Sequence, residues 1–118
     1  MEQRTELGET VVHDEVLATI ARRAALTVPG VEDLQQRGLP ENVQSWVHHA
    51  LPFRGVRVVS REDGHYDIDL FVVVRYGVRI PSVARALQHA VNNALYEAVE
   101  RYPDHLVIHV EGVRAVDA

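Results

Sequence analysis

Asp67 and Asp69 stand two residues apart in an alternating stretch, so they fall on one face of a strand. Paired carboxylates are the groups that acid–base catalysis uses and that hard cations prefer. Arg57, Arg61, Arg75 and His109 are expected on the same side of neighbouring strands. Cross-strand Asp–Arg pairing, worth a few tenths of a kcal/mol per pair, is then the simplest account of these carboxylates. A partner-binding surface and acid–base chemistry are the alternatives. The seven histidines are His13, His48, His49, His65, His89, His105 and His109. None pairs with another at i, i+4 spacing on a predicted helix and none sits in a ligand motif, so no metal site is expected. Imidazoles titrate near neutrality, which leaves a response to pH open. Ser45, Ser60 and Ser82 are the serines, and none lies in G-x-S-x-G. There is no cysteine and no glycine-rich loop to cradle phosphate. All 12 basic residues are arginine, which removes Schiff-base and P-loop lysine chemistry. No catalytic residue, cofactor or metal is predicted.

The elements that would position these groups follow from periodicity. Residues 1–7 are polar and aperiodic and read as a disordered tail. Residues 8–12 suit a short strand. Val16, Leu17, Ile20, Ala21, Ala24 and Ala25 recur at three and four, the stripe of a helix. Asp14 and Glu15 suit its first turn, and Arg22-Arg23 its C-terminal end, where the helix dipole favours each charge. Pro29-Gly30 ends it. Val31–Leu34 suits a second short strand. Leu39, Val43, Trp46, Val47, Ala50 and Leu51 give a short amphipathic helix over residues 40–50, closed by Pro52.

A hairpin comes next. Residues 55–61 run into Asp63-Gly64, a pair suited to a type I′ turn, and the chain returns over residues 66–76. Tyr66, Ile68, Leu70, Val72, Val74 and Tyr76 form an apolar face; Asp67, Asp69, Phe71, Val73 and Arg75 form a mixed one. Pro81 opens a long helix to about residue 101, with Val83, Leu87, Ala90, Val91, Ala94, Leu95 and Ala98 as its stripe. Residues 106–111 are a last strand, and 114–118 a short tail. The prediction is one α+β domain over residues 8–113. A mixed sheet of four or five strands carries two main helices on one face, with a short extra helix. Its core is expected to hold Val16, Ile20, Val58, Ile68, Leu70, Val72, Leu87, Val91, Leu95 and Ile108.

Composition agrees with a globular domain. The chain has 118 residues, 47% hydrophobic and 25% charged, with a formal charge of −5. Five acids crowd residues 2–15 against Arg4 alone, and the rest is nearly balanced. Nucleic-acid binders show a basic surplus instead. No apolar run approaches the roughly 20 residues that span a bilayer. The first residues lack a signal-peptide pattern, so a cytoplasmic protein is expected.

Four stretches carry a resemblance: 14–21 (DEVLATIA), 25–31 (ALTVPGV), 68–81 (IDLFVVVRYGVRIP) and 107–113 (VIHVEGV). In this order and spacing they resemble the alkaline shock protein family of bacterial envelope stress response proteins, over about residues 8–113. His13 departs from the family, which usually has a small capping residue there. The resemblance implies no enzymatic activity and no cofactor. It implies an abundant cytoplasmic protein that self-associates and in some cases reaches the inner membrane face through an integral-membrane partner. The expected function is therefore a non-enzymatic adaptor or scaffold. The runner-up is an RNA-binding module of KH-like or related α+β type, suggested by the β-α-β-β-α-β order. Against it stand the missing G-x-x-G loop and the missing aromatic RNA-binding strand.

Self-association is expected through the mixed sheet face or an edge strand. Phe71, Val73 and Val107 would form its apolar centre, with Asp67, Asp69, Arg57, Arg75 and His109 as a polar rim. Trp46 either packs on the body or anchors a partner or membrane surface. Should segment 35–53 cover the mixed face instead, the chain would be monomeric.

Overall fold

The computed structural model describes residues 1–35 and 54–115. The helix predicted over residues 40–50, with Trp46, His48 and His49, lies outside the described residues, as do residues 116–118.

The order is β1 (Glu2–Thr5), β2 (Gly8–Val11), α1 (Asp14–Leu26), β3 (Val31–Leu34), β4 (Val56–Ser60), β5 (Tyr66–Arg75), α2 (Ile80–Val99) and β6 (His105–Arg114). This is the predicted α+β class, with a four-stranded mixed sheet, a separate two-stranded hairpin and two helices. β5 is the hub. β4 pairs antiparallel with its first half, from Ser60↔Tyr66 to Val56↔Leu70. β3 pairs antiparallel with its second half, from Leu34↔Val72 to Val31↔Val74. Both occupy the same edge of β5, end to end. Their junction is Phe71, whose N–H donates to the Gly55 carbonyl (2.8 Å) and whose carbonyl accepts from the Gln35 N–H (2.9 Å). The two chain segments pass so closely that a Cβ on Gly55 would lie 2.5 Å from the Leu34 carbonyl carbon. Gly55 also has φ +73°, so glycine is required twice over. β6 runs parallel along the whole other edge of β5, after the α2 crossover that parallel strands need.

The apolar face of β5 packs on the helices. Tyr66, Ile68, Leu70, Val72 and Val74 meet Leu17, Ala18, Ala21 and Ala25 of α1 and Val83, Leu87, Val91 and Leu95 of α2 in one buried cluster. Six of the ten predicted core residues are buried, and Ile20, Val58 and Ile108 pack on them half-buried. Val16 is the correction, at 46% exposed. The buried side of α1 is turned one residue onward, to Leu17 and Ala18, because its alanines are the residues that let helix and sheet approach closely. Tyr76 is also corrected: β5 ends at Arg75, and Tyr76 is exposed.

Two boundaries move. Residues 1–7 are not a loose tail: β1 pairs with β2 from Glu2↔Val11 to Thr5↔Gly8, the Met1 side chain is buried, and the Met1 carbonyl accepts from the Val12 N–H. Both hairpin strands are almost wholly exposed, so they carry no apolar alternation for a sequence reading to detect. At the other end, β6 continues to Arg114, past a bulge. The β4–β5 turn is as predicted, with positive φ at both Asp63 (61°) and Gly64 (79°). His13 precedes α1 with no side-chain cap; the Ser60 hydroxyl instead donates to the Asp14 carboxylate in the first turn.

Candidate interaction surface

The side of the sheet away from the helices is built by alternation on β4, β5 and β6. On β5, Asp69 lies between two neighbours. Arg57 of β4 donates to it through Nε (3.2 Å) and Nη2 (3.1 Å), and His109 Nε2 of β6 lies 2.9 Å from its other oxygen. Burial pushes the Asp69 carboxyl up, but the bonds and charges of His109 and Arg57 outweigh it and hold it below the usual carboxylate range. Asp67 repeats the pattern, with Arg61 Nη2 at 3.0 Å and His105 Nδ1 at 3.0 Å. Arg61 continues to Asp104, which also meets His65 Nδ1 at 2.9 Å. Slight desolvation raises the Asp104 carboxyl, and the His65 and Arg61 bonds more than reverse it. Arg101 closes the chain, its Nη1 donating to the Asp63 carbonyl at 3.0 Å and its Nη2 lying 3.2 Å from His65 Nε2.

Asp69 and Asp104 are thus held ionised by an arginine and a histidine each, and Asp67 is hydrogen-bonded by the same two residue types. That suits clamping strands together. The predicted Asp–Arg pairing is present for Arg57 and Arg61. Arg75 stands apart, exposed at the far end beside Arg114. The His65–Asp104–Arg101 group had no sequence signal, because its members come from a turn and a post-helix loop. Among the described residues, no three His, Asp or Glu side chains are grouped to hold a metal.

The apolar part of the expected interface needs correction. Phe71 is 7% exposed and Val73 fully buried, so neither is an open apolar centre. Phe71 stacks flat on the His109 ring, centroids 4.6 Å apart. Val107, by contrast, is 45% exposed, and Val110 and Val113 further along β6 are exposed too. On this face the exposed apolar residues are Val107 of β6 and Val59 of β4, while Val110 and Val113 are exposed on the helix side of β6. Trp46 lies outside the described residues.

β6 also has an open edge. In a parallel ladder, the residue opposite one that bonds inward turns its own N–H and C=O away. The odd-numbered residues of β5 bond toward β3 and β4, as Phe71 and Arg75 do. Its even-numbered residues therefore bond toward β6. Leu106, Ile108 and Val110, opposite Ile68, Leu70 and Val72, must aim their backbone groups outward. Among the described residues, no strand pairs with that outer edge. At Glu111 the register slips by one residue, a bulge that ends this regular run.

Arg22 was expected to stabilise the end of α1. It instead reaches across to the sheet, donating to the carbonyls of Leu34 (3.3 Å) and Arg54 (2.9 Å). Burial lowers its pKa, and Asp33 partly offsets that. No helix among the described residues is long and apolar enough to cross a membrane.

Known proteins similar to this chain share most of its length. It is 32% identical over 109 residues to the uncharacterized protein Spy1535 of Streptococcus pyogenes, covering 92% of this chain and 81% of that one. It is 31% identical over 112 residues to the uncharacterized protein YqhY of Bacillus subtilis, covering 93% and 80%. It is 29% identical to the uncharacterized protein YloU of the same organism, covering 99% and 98%. No solved structure gives a significant match. With residues 2–115 matching its family pattern, the chain belongs to the alkaline shock protein 23 family, whose described role is a cell envelope-related function.

Proposed function

We propose that this chain is a non-enzymatic adaptor or scaffold that serves the cell envelope through protein–protein contacts at the cytoplasmic face of the membrane. Its partners are further copies of itself and an integral-membrane protein that anchors it. The single observation that carries this reading is β6: a ten-residue edge strand with outward backbone groups and with Val107, Val110 and Val113 exposed. Such an edge is a template for another strand unless it is blocked, and strand addition is a common mode of protein recognition. The sheet face supports the same reading, since its carboxylates are engaged in cross-strand bonds.

The test is a photo-crosslinking side chain at Val107 in the native cell. The expected result is covalent adducts with a second copy of the chain and with a membrane-spanning protein in the envelope fraction, both absent when the probe is at exposed Gln88 of α2. Equal labelling from both positions, or none from Val107, contradicts the reading.

A further inference from the structure

We infer that β6 pairs with β6 of a second copy, antiparallel, about a two-fold axis through Ile108. The inference rests on the reading of β6 as the contact edge and names what occupies it. Antiparallel strands exchange paired hydrogen bonds only between residues whose backbone groups face the partner. On β6 those residues are Leu106, Ile108 and Val110, evenly spaced about Ile108. Placing Ile108 opposite its own copy sets Leu106 opposite Val110 of the partner copy and Val110 opposite Leu106. All the outward groups of this run are then satisfied at once. A shift by two residues would leave one of them facing Gly112 or Asp104, outside the regular run.

The side chains support the same register. Residues directly opposite in an antiparallel pair share a face. On the helix side the register matches Ile108 with Ile108 and Leu106 with Val110, apolar against apolar, and covers Val110, which is 38% exposed in the single chain. On the other side Val107 meets His109, whose ring already stacks on Phe71. His105 meets Glu111, a base opposite an acid. The strand is thus complementary to itself in polarity on the helix side and in charge at His105 and Glu111. The Glu111 bulge limits the pairing on one end and the bend at Asp104 on the other. A closed two-fold pair also removes the exposed edge, which an open filament of strands would not.

The natural chain has no cysteine, so single substitutions report contacts without background. Ile108→Cys places two sulfur atoms on strands roughly 5.5 Å apart at Cα, within disulfide reach. Mild oxidation should convert most of it to a covalent dimer, and Val59→Cys on exposed β4 should give none. A mixture of Leu106→Cys and Val110→Cys should cross-link faster than either variant alone. Because the Val110 N–H points away from β5, Val110→Pro should keep the fold by circular dichroism and halve the mass seen by light scattering. A wild type that stays monomeric at millimolar concentration overturns the self-pairing, while the Val107 photo-crosslink would still report a strand from another protein. A dimer that cross-links at Val59 and not at Ile108 overturns it as well.

Discussion

Tyr66 shows how much of this molecule is settled by single polar contacts. Its ring is fully buried under the helices, and its hydroxyl donates to the Arg101 carbonyl at 2.7 Å. Burial, with Asp104 adding and Arg101 subtracting, pushes the phenol up to about 12. The unfolded chain ionises its tyrosines near pH 10. The folded state therefore holds a proton that the unfolded state has lost, and this contribution is complete below about pH 10 and disappears as pH rises toward 12. Tyr66→Phe should cost about 0.5–1.5 kcal/mol near neutrality for the lost bond. Its stability should then fall less steeply than the wild type's between pH 10 and 12, read from urea unfolding at each pH. The Asp69–Arg57 and Asp67–Arg61 pairs were legible in the sequence because alternation alone puts them on one face. Their histidines were less so: that His105 and His109 meet the same carboxylates depends on the parallel register of β6, which no local pattern specifies.

At the scale of elements, long periodic segments were legible and short or exposed ones were not. β5 and α2 each present an unbroken apolar stripe, and the structure places both close to where the pattern put them. The phase of α1 was ambiguous because its stripe is wide and rich in alanine, which fits either side of the helix. The structure resolves it toward Leu17. Leu17→Ala should destabilise the protein by about 2–5 kcal/mol, as loss of a buried leucine does. Val16→Ser, one residue away and exposed, should change stability by no more than about 0.5 kcal/mol. Reversal of that order in thermal unfolding would contradict the observed helix phase. The β1–β2 hairpin was missed because both its strands face water. The junction of β3 and β4 at Phe71 was missed because it depends on two segments distant in sequence meeting end to end, although Gly55 marks the crossing.

Among the described residues the main sheet centres on one strand, β5, with helices on one face, ion-paired side chains on the other and β6 along one edge. The sequence reading placed the apolar centre of an interface at Phe71, which the structure leaves only 7% exposed. Phe71→Asp should consequently unfold the protein, since it buries a carboxylate at the sheet centre without a partner. Loss of the cooperative melting transition, not release of folded monomers, is the expected outcome. What the sequence could not reveal was which apolar residues of the mixed face remain exposed, because exposure is set by the assembled sheet and not by alternation. The edge of β6 is where the account is most exposed to test. Residue-resolved amide exchange, measured by nuclear magnetic resonance across a concentration series, addresses it directly. At low concentration the amides of Val107 and His109, bonded to β5, should be protected, while those of Leu106, Ile108 and Val110 exchange rapidly. At high concentration the second set should become protected as well. Protection of all five at every concentration, or free exchange of Leu106, Ile108 and Val110 throughout, would contradict it.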